Sequence, residues 1–104
     1  MATLLIRVQG FVDDHALGFV ECCLVDSDGK EHRFVEKAPI VSTANLASNG
    51  VFPQAGYIAC VVQDEWLDER GRQLAQVDTS SPWGIESVAG ETSFTVLREQ
   101  VSRN

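Results

Sequence analysis

The segment from Gly56 to Leu67 constrains this chain more than any other. With side chains alternating, Ile58, Cys60, Val62 and Trp66 fall on one face and Tyr57, Ala59, Val61 and Leu67 on the other. Both faces are apolar over Ile58–Val62, which predicts a central strand covered on both sides. No segment keeps apolar residues at i, i+3, i+4 and i+7 over three turns, so a helical bundle is excluded. Val contributes 13 residues, and Val, Ile and Thr together 22, the residue types that pleated backbone accommodates best.

Other strands assemble around this one. Leu4, Ile6 and Val8 alternate with Arg7 and Gln9. From Phe19 to Asp26, the face with Val20, Cys22 and Leu24 is expected inside because Glu21 lies on the other. Asp26-Ser27-Asp28-Gly29-Lys30 predicts a hairpin turn, Asp28-Gly29 suiting type I′ geometry. A third strand runs from Glu31 to Lys37, with His32, Phe34 and Glu36 on one face, and ends near Pro39, which lacks a ladder donor. Ser42 to Gln54 lacks alternation; a single helical turn through Ala44, Leu46 and Ala47 fits there, ended by Asn49-Gly50. After Gly71, a strand is expected from Arg72 to Thr79, a short one from Ile85 to Val88, and a last one from Thr92 to Arg98. Glu99 to Asn104 is expected to fray or form a helical turn. The chain thus reads as a single domain over residues 1–104: all-β, six to seven mainly antiparallel strands in a small barrel or sandwich, with at most one short helical turn. Closure into a barrel protects the edges that an open sheet would expose.

Charge and cysteine content narrow the function classes. The chain of 104 residues carries 15 Asp and Glu against 8 Lys and Arg, a formal charge of -7. Such a domain repels nucleic acid, and its basic residues are scattered. No apolar run approaches the ~20 residues of a bilayer span. Leu4-Leu5-Ile6, interrupted by Arg7, is too short for a signal-peptide core, so a cytoplasmic location is expected. Three cysteines, an odd number, agree with a compartment without a disulfide framework.

No catalytic set emerges. Cys22 and Cys23 are adjacent on one strand and point to opposite faces, so they cannot chelate one ion together, and no C-x-x-C spacing exists. If Cys22 and His32 face each other across the hairpin, both point inward, where thiols are inert. Asp26-x-Asp28-Gly29 resembles the start of a calcium loop, but position 12 would be Lys37, so the turn reading prevails. Asp13-Asp14-His15 is a solvated loop, or else the acid–base group of a minor enzyme or ligand-binding barrel. No cofactor and no metal are expected.

Asp64, Glu65, Trp66, Leu67, Asp68 and Glu69 place four carboxylates around an apolar pair at a hairpin end. Such a tip is either solvated, with its Trp packed over the barrel end, or an acidic rim around an aromatic anchor for a basic protein. Trp83, between Pro82 and Gly84, is the second candidate anchor; its loop either presents the indole or folds it onto the core. The expected function is therefore a small acidic interaction module for a basic partner protein, with Asp64, Glu65, Trp66, Asp68, Glu69 and Trp83 as partner-binding residues. Masking the basic groove of a toxin or nuclease, as inhibitor or immunity proteins do, is one version by analogy of charge. The alternatives are the small-molecule barrel or enzyme and a structural assembly subunit, including a homodimer.

Overall fold

The computed structural model describes residues 2–12, 18–41 and 52–103. Seven strands curl into a half-barrel: β1 (Ala2–Phe11), β2 (Phe19–Val25), β3 (Glu31–Lys37), β4 (Gln54–Leu67), β5 (Gln73–Asp78), β6 (Ser93–Leu97) and β7 (Val101–Arg103). Their order is β3-β2-β1-β4-β5-β6, every described pairing is antiparallel, and β7 adds to β1. Among the described residues, helical structure is confined to single turns, α1 (Ala38–Val41) and a 3-10 turn (Arg98–Gln100). The helical turn expected after Ser42 lies outside the described residues.

β4 is the backbone of the fold but is not covered on both sides as expected: Ile58 and Cys60 are buried, whereas Tyr57 and Val61 on the other face are each 46% exposed. At ~3.3 Å per residue, the 14 residues of β4 match the 45 Å long axis of the molecule. Its first half, Gln54 to Cys60, pairs with β1, and its second half, Val61 to Leu67, pairs with β5 on the opposite edge. Inward residues of β1, β2, β3 and β4 meet those of β5 and β6 in one cluster that includes Leu4, Val20, Cys22, Phe34, Ile58 and Val96. Removing a side chain such as Leu4 or Ile58 from water contributes roughly 1.5–3 kcal/mol. Close approach fixes one residue: a Cβ on Gly56 would lie 2.7 Å from Val8 Cγ2 and 2.8 Å from the Val41 carbonyl oxygen.

Several expectations are corrected in detail. The register pairs Val62 with Val77 and then Glu65 with Ala75, so a bulge between Val62 and Asp64 inserts one residue. Val77 and Ala75 are both buried and share a face, which places Glu65, rather than Trp66, on the face continuing from Val62. Trp66 lies instead opposite Leu74 on the outer face. The hairpin at Asp26 is not type I′, because no described non-glycine residue has positive φ. Gly29 N–H donates to Asp26 O and Asp26 N–H to Lys30 O, with Gly29 at φ +81°, a type I turn followed by a left-handed glycine. His32 stands opposite Leu24, and Cys22 opposite Phe34. Ile85 to Val88 is not a strand: Ile85 and Ser87 are buried, and Val88 N–H donates to the Arg33 carbonyl, so the loop itself covers the β3 edge. The tail continues from the 3-10 turn into β7, whose residues pair with Ala2 to Leu4.

Candidate functional site

Two surfaces carry the residues that the sequence singles out. The first is the β4–β5 tip. Asp68 shapes it: its Oδ1 accepts from the Arg70 and Arg72 amides at 2.9 and 2.8 Å, and Oδ2 accepts from Arg72 Nε at 2.8 Å. Although desolvation pushes this carboxyl up, the bonds from Arg72 and Arg70 outweigh it and hold Asp68 below the ordinary carboxylate range. Glu65 forms ion pairs with Arg98 and with Arg103, the latter at 2.7 Å. Asp64 Oδ1 accepts the Glu65 amide at 2.9 Å. Arg70, Arg72, Arg98 and Arg103 thus lie at or reach the same end as Asp64, Glu65, Asp68, Glu69 and Glu99, and Arg72 Nη1 also donates to the Ser27 carbonyl of the β2–β3 hairpin at 2.9 Å. The local charge nearly balances, and most of the chain's formal -7 falls on the other residues. Trp66 is 37% exposed, its strand position covering Leu74 at 6%.

The second surface is the loop from Thr79 to Thr92. Thr79 is buried and organises it: its Oγ1 donates to the Ile85 carbonyl at 2.7 Å, and its N–H to the Thr92 carbonyl at 2.8 Å. Gly84, at φ +66°, returns its N–H to the Ser80 carbonyl, and Ile85 N–H reaches the Thr79 carbonyl. Asp78 accepts the Ser80 amide and hydroxyl, which lowers its carboxyl below the ordinary range. The loop buries Ile85 as its core residue, and Trp83 stays 60% exposed on this hydrogen-bonded frame. Three residues on is Glu86. Glu36 is pushed up from the ordinary range first by partial burial and then by the charge of Glu86. These two carboxylates repel each other, and neither forms an ion pair among the described residues.

The loop is tied to the β2–β3 hairpin by a histidine whose role the sequence did not reveal. His32 is buried, with Nε2 at 2.8 Å from Asp26 Oδ2, Nδ1 at 3.7 Å from Glu91 Oε1 and its ring edge-on to Phe94 at 4.9 Å. Desolvation pushes Asp26 up, but the hydrogen bonds from His32, Lys30 and Asp28 prevail and lower it. The hairpin register that brings His32 back to Asp26 was the available signal. A second signal was the spacing Asp26…Gly29, Asp68…Gly71, Ser87…Gly90: each begins the same turn, with a side-chain oxygen accepting the amide four residues on.

All three thiols are free and buried. Burial pushes Cys22 up to about 12, aided by Glu36, Glu21 and Cys23, and pushes Cys60 up to about 11. Cys23, facing outward yet largely covered, is also raised by burial. Asp13, Asp14 and His15 lie outside the described residues. Among the described residues, no group of three or more His, Cys, Asp or Glu is placed to hold a metal ion, and no helix is long and apolar enough to cross a membrane. No family model matches this chain, and neither does any curated protein or solved structure.

Proposed function

We propose that this chain is a small acidic protein-interaction module that receives a basic partner protein, with Trp83 as the aromatic anchor. The observation that supports the reading is the segregation of charge. With the β4–β5 tip nearly balanced, most of the excess lies elsewhere: segments 21–37 and 78–91 carry eight carboxylates and three Lys or Arg. These segments adjoin through the Val88–Arg33 backbone bond and the His32–Glu91 contact. An indole 60% exposed in the same loop as Glu86, which forms no ion pair among the described residues, offers apolar area at low entropy cost together with a field that attracts cations. Among the sequence candidates, Trp83 therefore acts as anchor. Asp68 and Glu65 are engaged by arginines, and Asp64, Trp66 and Glu69 belong to a nearly balanced surface.

The reading predicts which variant loses a partner. Immobilised chain should retain basic proteins from its native extract at low salt and release them at high salt, as screening shortens from ~10 Å at 0.1 M to ~3 Å at 1 M. Trp83→Ala should lower the retained amount several-fold, and Trp66→Ala should leave it nearly unchanged. Retention that ignores both salt and Trp83 contradicts the proposal.

A further inference from the structure

Among the described residues, a single backbone bond joins the loop from Thr79 to Thr92 to β3, from the Val88 N–H to the Arg33 carbonyl at 2.8 Å. One residue along β3, His32 is 7% exposed and lies between two carboxylates from different segments, Asp26 of the hairpin turn and Glu91 of the loop. We infer that His32 is a pH-sensitive strap, whose proton draws Glu91 and with it the loop onto the β2–β3 hairpin. This loop carries Trp83, but the strap rests on its own contacts and not on any partner of that indole.

The two ring nitrogens give the switch its sense. Asp26 is held ionised by its hydrogen bonds, so Nε2, at 2.8 Å, donates to Asp26 Oδ2. In the neutral imidazole Nδ1 is then a bare acceptor, and it faces Glu91 Oε1 at 3.7 Å, acceptor against acceptor. Protonation puts an N–H on Nδ1 and a positive charge between the two carboxylates, and the same contact becomes attractive. Glu91 passes this on to the loop. Its carbonyl accepts the Ser87 amide at 2.8 Å and its amide donates to Ser87 Oγ at 3.0 Å, closing the turn from which Val88 reaches Arg33.

The other elements against the ring do not titrate: Leu24 of β2 stands opposite it, and Phe94 of β6 packs edge-on at 4.9 Å. Among the described residues, no Lys or Arg forms an ion pair with Asp26 or Glu91. Lys30 gives Asp26 its amide, and Arg72, which reaches the same hairpin, donates to the Ser27 carbonyl and pairs with Asp68. A second pair, Glu36 of β3 and Glu86 of the loop, repels when both are ionised and loosens the loop in the same direction. The strap is therefore closed while His32 carries its proton and opens as pH rises through the titration of this residue.

Amide exchange of the full chain, followed by NMR from about pH 5 to about pH 8 and corrected for intrinsic rates, tests the strap. The His32 ring protons are titrated in the same samples. Protection of the Val88 amide should fall about fivefold as His32 loses its proton. The Gly71 amide, bonded to the Asp68 carbonyl in the β4–β5 turn, should keep its protection. Glu91→Gln, at a side chain 46% exposed, should abolish the step, because a carboxamide can meet either form of the ring. Glu36→Gln should leave the step in place. Val88 protection that does not follow His32, or that falls only together with Gly71, overturns the inference. So does a step that survives Glu91→Gln, or one that vanishes in Glu36→Gln and so belongs to the Glu36–Glu86 pair.

Discussion

At the scale of single residues, two positions hold more of the fold than their neighbours. Gly56 has no room for a methyl group, since Val8 and the Val41 carbonyl already occupy that space. Gly56→Ala should destabilise the protein by about 1–3 kcal/mol through overpacking, measured by chemical denaturation. Asp26 is the other: one carboxylate oxygen accepts two turn amides and the other meets buried His32. Its pKa is lowered on folding, so its contribution is present above the unfolded value near ~3.9 and is lost as pH falls through the folded value. Asp26→Ala should therefore cost about 1–3 kcal/mol at pH 7. The difference from wild type should shrink as pH falls below about 4; a difference that grows with acid would contradict the assignment. Neither residue was conspicuous in the sequence. Gly56 read as the start of a strand and Asp26 as a turn residue, because their importance arises from neighbours distant in sequence or across a hairpin.

Whole elements were more legible than their junctions. Alternation located β1 to β4 and the inner faces of β1 and β2, because burial on one side imposes a period of two on the residues themselves, whereas the apolar outer face of β4 read as covered although Tyr57 and Val61 are exposed. It failed at Gln63, where one inserted residue reverses the alternation without any change of residue type, so Trp66 exchanged faces. Alternation also missed β7: Val101–Arg103 is three residues long, and its partner on β1 lies almost the full chain away. Conversely, Ile85 looked like the start of a strand because it is an apolar core residue, whereas hydrogen bonds to Thr79 hold it in a loop. Turn chemistry was partly visible. The Asp-x-x-Gly and Ser-x-x-Gly spacing recurs at Asp26, Asp68 and Ser87, and each glycine adopts positive φ, 81°, 78° and 84°. At the tip, Gly71→Ala should cost about 1–2 kcal/mol, and Gly71→Asn less, since Asn visits that region more readily. Equal costs in thermal melting would show that the left-handed backbone is not what the turn requires.

On the scale of the whole molecule, charge is organised rather than spread. A formal charge of -7 was plain in the sequence, and so was the cluster from Asp64 to Glu69. That Arg98 and Arg103 return to neutralise that cluster was not, because it depends on the turn and strand that follow β6. The fold thereby leaves most of the excess charge on the surface that carries Trp83, and this is the premise of the proposed contact. The most direct test is titration of the chain with a decalysine peptide, followed by amide and indole resonances at low salt and again at high salt. Shifts should centre on Trp83, Glu86 and Glu91 and largely vanish at high salt, while Asp64 to Arg72 stays still. Shifts centred on Asp64 to Arg72, or spread evenly over the surface, would contradict it.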